Sequence, residues 1–272
     1  MNYNRREIAT YIVSQLELHK EELQNQYNFT ENAIGYFVLD DLLPVSLTTK
    51  IYNSFPNLKD TVLRKSIREY KYTAFQMDSY DALLEEVIYA FQDDSVVAKI
   101  QEICSLESVF PDENLYAGGL SLMAKDNFLN PHLDNSHDKD RNRWRVLNLL
   151  FYVTPDWKLD YGGNIELWPN GIAQEKITIA SKFNRLVVMA THNGSWHSVS
   201  KVKVSKTRCC VSNYYFSDMP IRRTDTFHVT TFRGNPSEKV KDLVLQIDNK
   251  LRTGIRKVFK KGIRENPHQF KK

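Results

Sequence analysis

Residues 208–216 read Arg208-Cys-Cys-Val-Ser-Asn-Tyr-Tyr-Phe216, and residues 146–153 read Val146-Leu-Asn-Leu-Leu-Phe-Tyr-Val153. Both are short apolar and aromatic runs closed by turn-forming residues, the texture of strands. They belong to a series that begins near residue 114 and includes Leu120–Met123, Asn164–Trp168, Lys176–Ile179, Arg185–Ala190 and His197–Val204. Gly162-Gly163 and Asn170-Gly171 punctuate it. Many short strands at this spacing predict a sandwich or barrel.

Outward from this β region the pattern is helical. Residues 4–27 predict one helix, with Ile8, Tyr11, Ile12, Leu16 and Leu18 near helical spacing. Ala33 to Leu42 is strand-like, and Pro44 opens a helix to about Phe55. Residues 81–106 predict another helix, carrying Leu83, Leu84, Val87, Ile88, Phe91, Val97 and Ile100. After Pro220 the chain turns helical again. Asn235-Pro236-Ser237-Glu238 reads as an N-cap, a proline at the first helical position and a capping-box glutamate. Val240, Leu243, Val244, Ile247, Leu251, Ile255 and Val258 then form one apolar stripe, which predicts docking on the chain's own body or, as a homodimer, on a second copy. The expected class is mainly β with flanking helices (α+β). One domain spans 1–219, with a β core over about 114–217 on a helical support over 1–113, and a basic helical extension covers 220–272.

Hydrophobic residues make up 42% of the 272, enough for a sizeable core and against global disorder. No apolar run approaches the roughly 18 residues of a membrane span. The start, Met-Asn-Tyr-Asn-Arg-Arg-Glu, lacks a following apolar segment, so no signal peptide is expected. The three cysteines are an odd count, and Cys209 and Cys210 point to opposite faces of one strand. A reduced, cytoplasmic protein is the economical expectation. Net charge is +4, but residues 220–272 hold 14 Lys/Arg against 5 Asp/Glu, leaving −5 for the rest. A solvated tail explains this, and so does an anionic partner. Nucleic acid is not expected, because the tail's aromatics (Phe227, Phe232, Phe259, Phe270) are too sparse for a stacking platform.

The chemistry centres on His132 and Asp134 in Pro-His-Leu-Asp and on His197 in Ser-Trp-His-Ser. Two histidines and one carboxylate can bind one face of an iron(II) ion and leave the other open. In a strand, residues two apart share a face, so His132 and Asp134 aim at one point. His137 and His192 compete for the same part. His137 lies in a polar loop and reads as solvated, and His192 lies in a turn. His197 is preferred because Arg208 follows it at a suitable offset. Arg208, Cys210, Ser212 and Tyr214 share one strand face. A buried arginine there can grip the far carboxylate of a dicarboxylic acid bidentately.

From about Leu120 to Phe216 the chain resembles the catalytic core of the 2-oxoglutarate and Fe(II)-dependent oxygenases, in particular the prolyl hydroxylase group. The similarity is carried by His-Leu-Asp-Asn (132–135), Leu-Phe-Tyr-Val-Thr-Pro-Asp-Trp (150–157), Gly-Gly-Asn-Ile-Glu-Leu-Trp-Pro-Asn-Gly (162–171), Lys-Phe-Asn-Arg-Leu-Val-Val-Met (182–189) and Trp-His-Ser-Val (196–199). The resemblance implies a double-stranded β-helix (jelly roll). It implies iron ligands at His132, Asp134 and His197, and 2-oxoglutarate held by Arg208 and Tyr152, with Asn148 a further polar contact. It also implies use of O2, support by ascorbate, and hydroxylation of an unactivated C–H bond with release of succinate and CO2. Asp134 argues against a halogenase. The tyrosine that the group often places before the first histidine is absent from Leu122-Met123-Ala124-Lys125.

The substrate is less legible. A peptidyl residue of prolyl type, a free amino acid and a sugar all suit the group. Arg141, Arg143 and Arg145, with Trp144, are placed to meet an anionic substrate or to form a solvated hairpin. The alternatives are a metal- or sugar-binding jelly roll without turnover, and an oxygenase that meets nucleic acid through its basic tail.

Overall fold

The computed structural model describes residues 3–258 and 269–270. Its helices are α1 (Arg5–Leu18), α2 (Lys20–Ile34), α3 (Val45–Asn53), α4 (Ala82–Ala90), α5 (Asp94–Ile103) and α6 (Lys239–Val258). Its strands are β1 (Tyr36–Leu39), β2 (Val62–Lys65), β3 (Glu69–Ala74), β4 (Val109–Pro111), β5 (Gly119–Met123), β6 (Phe128–Leu133), β7 (Trp144–Tyr152), β8 (Ile165–Leu167), β9 (Ile177–Ile179), β10 (Arg185–Ala190), β11 (His197–Val199), β12 (Arg208–Ser217) and β13 (Thr231–Phe232).

The helical support is more broken than the periodicity predicts. The helix expected over 4–27 stops at His19, whose φ of −106° and ψ of 10° interrupt the α conformation. α2 then runs on to Ile34, buried seven residues after buried Tyr27, and leaves only β1 of the strand expected from Ala33. Residues 81–106 form two helices. The Asp93 side chain accepts from the Ser95 amide at 3.0 Å and starts α5, a local bond that competes with a continuous helix.

The strands pair antiparallel in the order β1-β10-β7-β12-β5-β3-β6-β11-β8-β9, with β13 added to β6, β2 to β3 and β4 to β12. This curled sheet is the expected jelly roll. Every residue of β12 is buried, so the strand is a wall with two working faces. Cys209, Val211 and Tyr215 join the core beneath the helices. Arg208, Cys210, Ser212 and Tyr214 line a cavity on the other side. β7, paired to β12 with Tyr152 opposite Cys210, repeats the division. Leu147, Leu149 and Phe151 enter the core, and Asn148, Leu150 and Tyr152 face the cavity.

The C-terminal extension starts as part of this core, since Phe232 of β13 pairs with His132 of β6. The helix expected from Pro236 begins at Lys239, with Asn235 and Glu238 bonded to each other just before it. Docking of its apolar stripe on the body is overturned. Val240, Leu243, Val244, Ile247, Leu251 and Ile255 are exposed, and α6 is held by its polar side. Arg233 and Arg68 on the body pair with Asp242 and Asp248, and ion pairs gripping one side turn the stripe outward. Val258 closes α6, and its side chain lies outside the described residues. No helix among the described residues is long and apolar enough to cross a membrane.

Candidate functional site

His132 and His197 stand directly opposite each other on β6 and β11, with ring centroids 4.1 Å apart. Asp134 lies just past the end of β6. All three are buried, and their ligand atoms lie within 4.8 Å of one another. The carboxylate bridges the two imidazoles: Oδ1 is 3.7 Å from His132 Nε2, and Oδ2 is 3.7 Å from His197 Nε2. Behind each ring the same device recurs. His132 Nδ1–H donates to the Asn130 carbonyl at 3.0 Å, and His197 Nδ1–H donates to the Ser195 carbonyl at 2.9 Å. A carbonyl can only accept, so this fixes the tautomer and aims both Nε2 lone pairs inward.

The electrostatics favour a metal-binding protonation state. Burial, helped by His197, pushes His132 down to about 3, so it is a neutral donor near pH 7. Burial would raise Asp134, yet His197, Arg145 and His132 outweigh it and hold the carboxyl below its ordinary value. Arg145 Nη1 lies 4.0 Å from Asp134 Oδ1, and Asn148 Nδ2 donates to Asp134 Oδ2 at 3.4 Å. Two imidazoles whose Nε2 atoms face inward and a carboxylate held below its ordinary value, on one side of an open cavity, form a donor set that fits Fe(II).

The cavity has a volume of about 310 Å³ and joins the triad to Arg208. Arg208 is buried at the start of β12 and donates from Nη2 to Ser121 Oγ at 3.3 Å. Its guanidinium carbon lies 5.3 Å from the centre of the Tyr152 ring. Arg208 Nε, the Tyr152 hydroxyl and Asn148 Oδ1 have no hydrogen-bond partner among the described residues. Buried polar groups of this kind are costly unless something pairs with them. A carboxylate at the Arg208 end meets two of the three. Gly163 lets the chain pass close behind: its φ is +67°, and a Cβ there would lie 3.3 Å from Arg208 Cδ and 3.0 Å from Val202 Cγ2.

The structure thus brings together His132, Asp134, His197, Asn148, Tyr152 and Arg208 around one cavity. Asn148 sits nearer the triad than its grouping with Arg208 suggests, bonded to Asp134. His192 lies outside the triad. It is buried, its Nδ1 accepts from the Gly194 amide at 2.9 Å, and burial pushes it down to about 4. His137 is not the solvated loop residue expected. It is half-buried against Trp144 and Phe227, with ring centroids 4.1 and 5.7 Å away. Of the arginines in 141–145, Arg143 turns away, stacked on Phe110 at 3.5 Å.

Phe232 escaped the sequence reading, and Arg145, expected there to meet an anionic substrate or to sit in a solvated hairpin, stands beside Asp134. Arg145 is buried, stacks on Tyr214 at 3.9 Å and donates to the Tyr116 carbonyl at 3.0 Å. A bulge between β7 and β12 reverses the alternation there, so Arg145 faces the cavity although Leu147 faces the core. Phe232, counted only as a tail aromatic, stacks on His132. Its one local signal is its place in a short β-rich run, Thr230-Thr231-Phe232.

Residues 118–216 match the family described as the 2OG-Fe(II) oxygenase superfamily. Among solved structures, the fold is similar to that of a Pseudomonas putida prolyl-4-hydroxylase, with 15% identity and a TM-score of 0.54 over 72% of this chain and 99% of that one. It is similar to a prolyl 4-hydroxylase of Phytophthora capsici, with 17% identity and a TM-score of 0.57 over 96% and 82%. It is similar also to HygX from Streptomyces hygroscopicus, solved with nickel and 2-oxoglutarate bound, with 12% identity and a TM-score of 0.52 over 71% and 86%. No curated protein matches the chain in sequence. The family match over residues 118–216, the likeness of fold and the converging triad agree on a core similar to that of the 2OG-Fe(II) oxygenases.

Proposed function

We propose that this protein is an Fe(II)- and 2-oxoglutarate-dependent dioxygenase that hydroxylates an unactivated C–H bond and releases succinate and CO2. The observation that carries the reading is one cavity with two prepared ends. At one end stand His132, Asp134 and His197, and at the other Arg208 has an unpartnered buried Nε beside the Tyr152 hydroxyl. In this reading His132, Asp134 and His197 hold the iron, and Arg208 and Tyr152 hold the far carboxylate of 2-oxoglutarate. Asn148 and Arg145 keep Asp134 ionised and oriented. Bound iron would supply the O2 chemistry; the chain binds, orients and excludes water.

A second cavity of about 290 Å³ shares Ala117, Asn135, Thr230 and Arg252 with the first. Among the described residues, Lys139, Arg141, Arg252 and Arg256 line it against one acid, Asp138. This cationic vestibule supports an anionic substrate, within the classes of peptidyl residue of prolyl type, free amino acid or sugar. The three cysteines are buried free thiols, which suits work in the cytoplasm.

The test is succinate formation by the purified protein with Fe(II), ascorbate, 2-oxoglutarate and O2, first alone and then with candidate substrates. Succinate that needs iron and is lost in His132→Ala supports the reading. Succinate unchanged in His132→Ala or Asp134→Ala contradicts the assignment of the triad. A protein that neither turns over nor binds 2-oxoglutarate is a jelly roll without this activity.

A further inference from the structure

Helix α6 is turned inside out relative to an ordinary surface helix. Its only acids, Asp242 and Asp248, are tied to Arg233 and Arg68 on the body. Leu245 is fully buried, and buried Asn249 bonds the backbone of Phe232. The outward side carries Val240, Leu243, Val244, Ile247, Leu251 and Ile255, with Val240 80% and Leu251 64% exposed. The remaining exposed positions from Lys239 to Arg256 are Lys239, Lys250 and Gly254. Every exposed residue of the helix in that span is therefore aliphatic, glycine or lysine. A continuous apolar stripe of this kind marks an interaction surface.

Charge decides between occupants. Packing against a second copy would bring lysine-flanked stripes together, while the acids able to balance them are already held by Arg233 and Arg68. Gly254 would leave a gap in such a seam. An anionic lipid surface meets both features, with acyl chains taking the aliphatic side chains and headgroups taking the lysines. Residues 220–272 carry 14 basic against 5 acidic residues, a net +9, which adds to the attraction.

We propose that α6 lies in the interface of an anionic membrane with its apolar face inserted. Ile255, on the stripe, also lines the cationic vestibule with Arg252 and Arg256. Docking along α6 therefore sets the mouth of the vestibule at the lipid surface. This inference stands apart from the catalytic reading, since it needs neither iron nor turnover.

The experiment is sedimentation of the full-length protein with vesicles of phosphatidylglycerol and phosphatidylcholine, against vesicles of phosphatidylcholine alone. Light scattering without lipid gives the mass. The expected result is a monomer that partitions onto the anionic vesicles and is released by salt. Lys239→Glu/Lys250→Glu weakens that partition by about thirtyfold or more. Ile247→Asp/Leu251→Asp abolishes it without lowering thermal stability, because both positions are exposed. Absent or equal partition onto the two vesicle types overturns the proposal. So does a stable dimer that the aspartate variant dissociates, for the second copy would then own the face. The lysine variant keeps the test decisive should the aspartate variant fail to fold.

Discussion

The ring of Phe232 stacks on the imidazole of His132, with centroids 5.2 Å apart and planes within 16°. Register brings them together, since the two residues are partners across β13 and β6. Asn249 of α6 completes the arrangement: its Oδ1 accepts from the Phe232 amide at 3.0 Å, and its Nδ2 donates to the Phe232 carbonyl at 2.5 Å. The extension thereby supports a histidine of the triad from behind.

Asn249→Ala removes both bonds and leaves two buried backbone groups unpaired. The expected cost is about 1–3 kcal/mol of stability. Fe(II) affinity should also fall, by about tenfold, the lower range for the loss of an outer support of a metal ligand. Thermal unfolding and an anaerobic Fe(II) titration read the two effects. Unchanged iron affinity in a folded variant would separate the extension from the triad.

Tyr152→Phe separates a binding role from a packing one. The hydroxyl is buried with no partner among the described residues, so its removal should leave the ligand-free protein as stable as before, or more so. Binding of 2-oxoglutarate should weaken by about tenfold to a hundredfold, the worth of one hydrogen bond to a charged group. Equal affinity in the two proteins would remove Tyr152 from the carboxylate site.

Gly163→Ala meets two obstacles at once, a φ of +67° and Arg208 Cδ at 3.3 Å from the new methyl. The left-handed conformation alone costs about 1–2 kcal/mol. The displaced guanidinium should raise the KM for 2-oxoglutarate more than it changes kcat. Steady-state kinetics and a melting curve on the same preparation check both.

Asp112 gives a pH signature. Burial pushes its carboxyl up to about 7, although Arg145 pulls it down. The folded value lies above the ordinary value of 3.8, so the folded state binds more protons between these pH values. The Asp112 contribution to stability should therefore fall as pH rises from about 4 to 7, opposing the rise that buried His132 and His192 give over much of the same range, and Asp112→Asn should make stability rise more steeply with pH. Denaturant midpoints measured across this range decide it.

Much of the β core is legible because its strands alternate between two environments. Arg208, Cys210, Ser212 and Tyr214 fall on one face by parity alone, and they line one cavity. Parity fails where the ladder slips, as at the bulge that turns Arg145 toward Asp134. Helix breaks at His19 and Asp93 are local, set by one backbone conformation and one side-chain cap, while apolar periodicity runs through both. The β2–β3 hairpin, which lends Arg64, Lys71 and Thr73 to the cavity wall, is half-exposed and lacks the apolar run that marks a buried strand. The stripe of α6 shows the limit most clearly. Amphipathic spacing reveals that a helix has an apolar face, while ion pairs to Arg68 and Arg233, distant in sequence or beyond the helix, determine where that face points.

The central claim, that one cavity holds iron at the triad and a dicarboxylate at Arg208, is tested most directly by anaerobic calorimetry of 2-oxoglutarate with the Fe(II)-loaded protein and with Arg208→Ala. The account predicts binding of one equivalent that requires iron and weakens by about two orders of magnitude or more in Arg208→Ala, the scale expected when a buried ion pair loses one partner. Binding that survives both chelation of the metal and loss of the Arg208 guanidinium, or its absence from the intact Fe(II)-loaded protein, would contradict it.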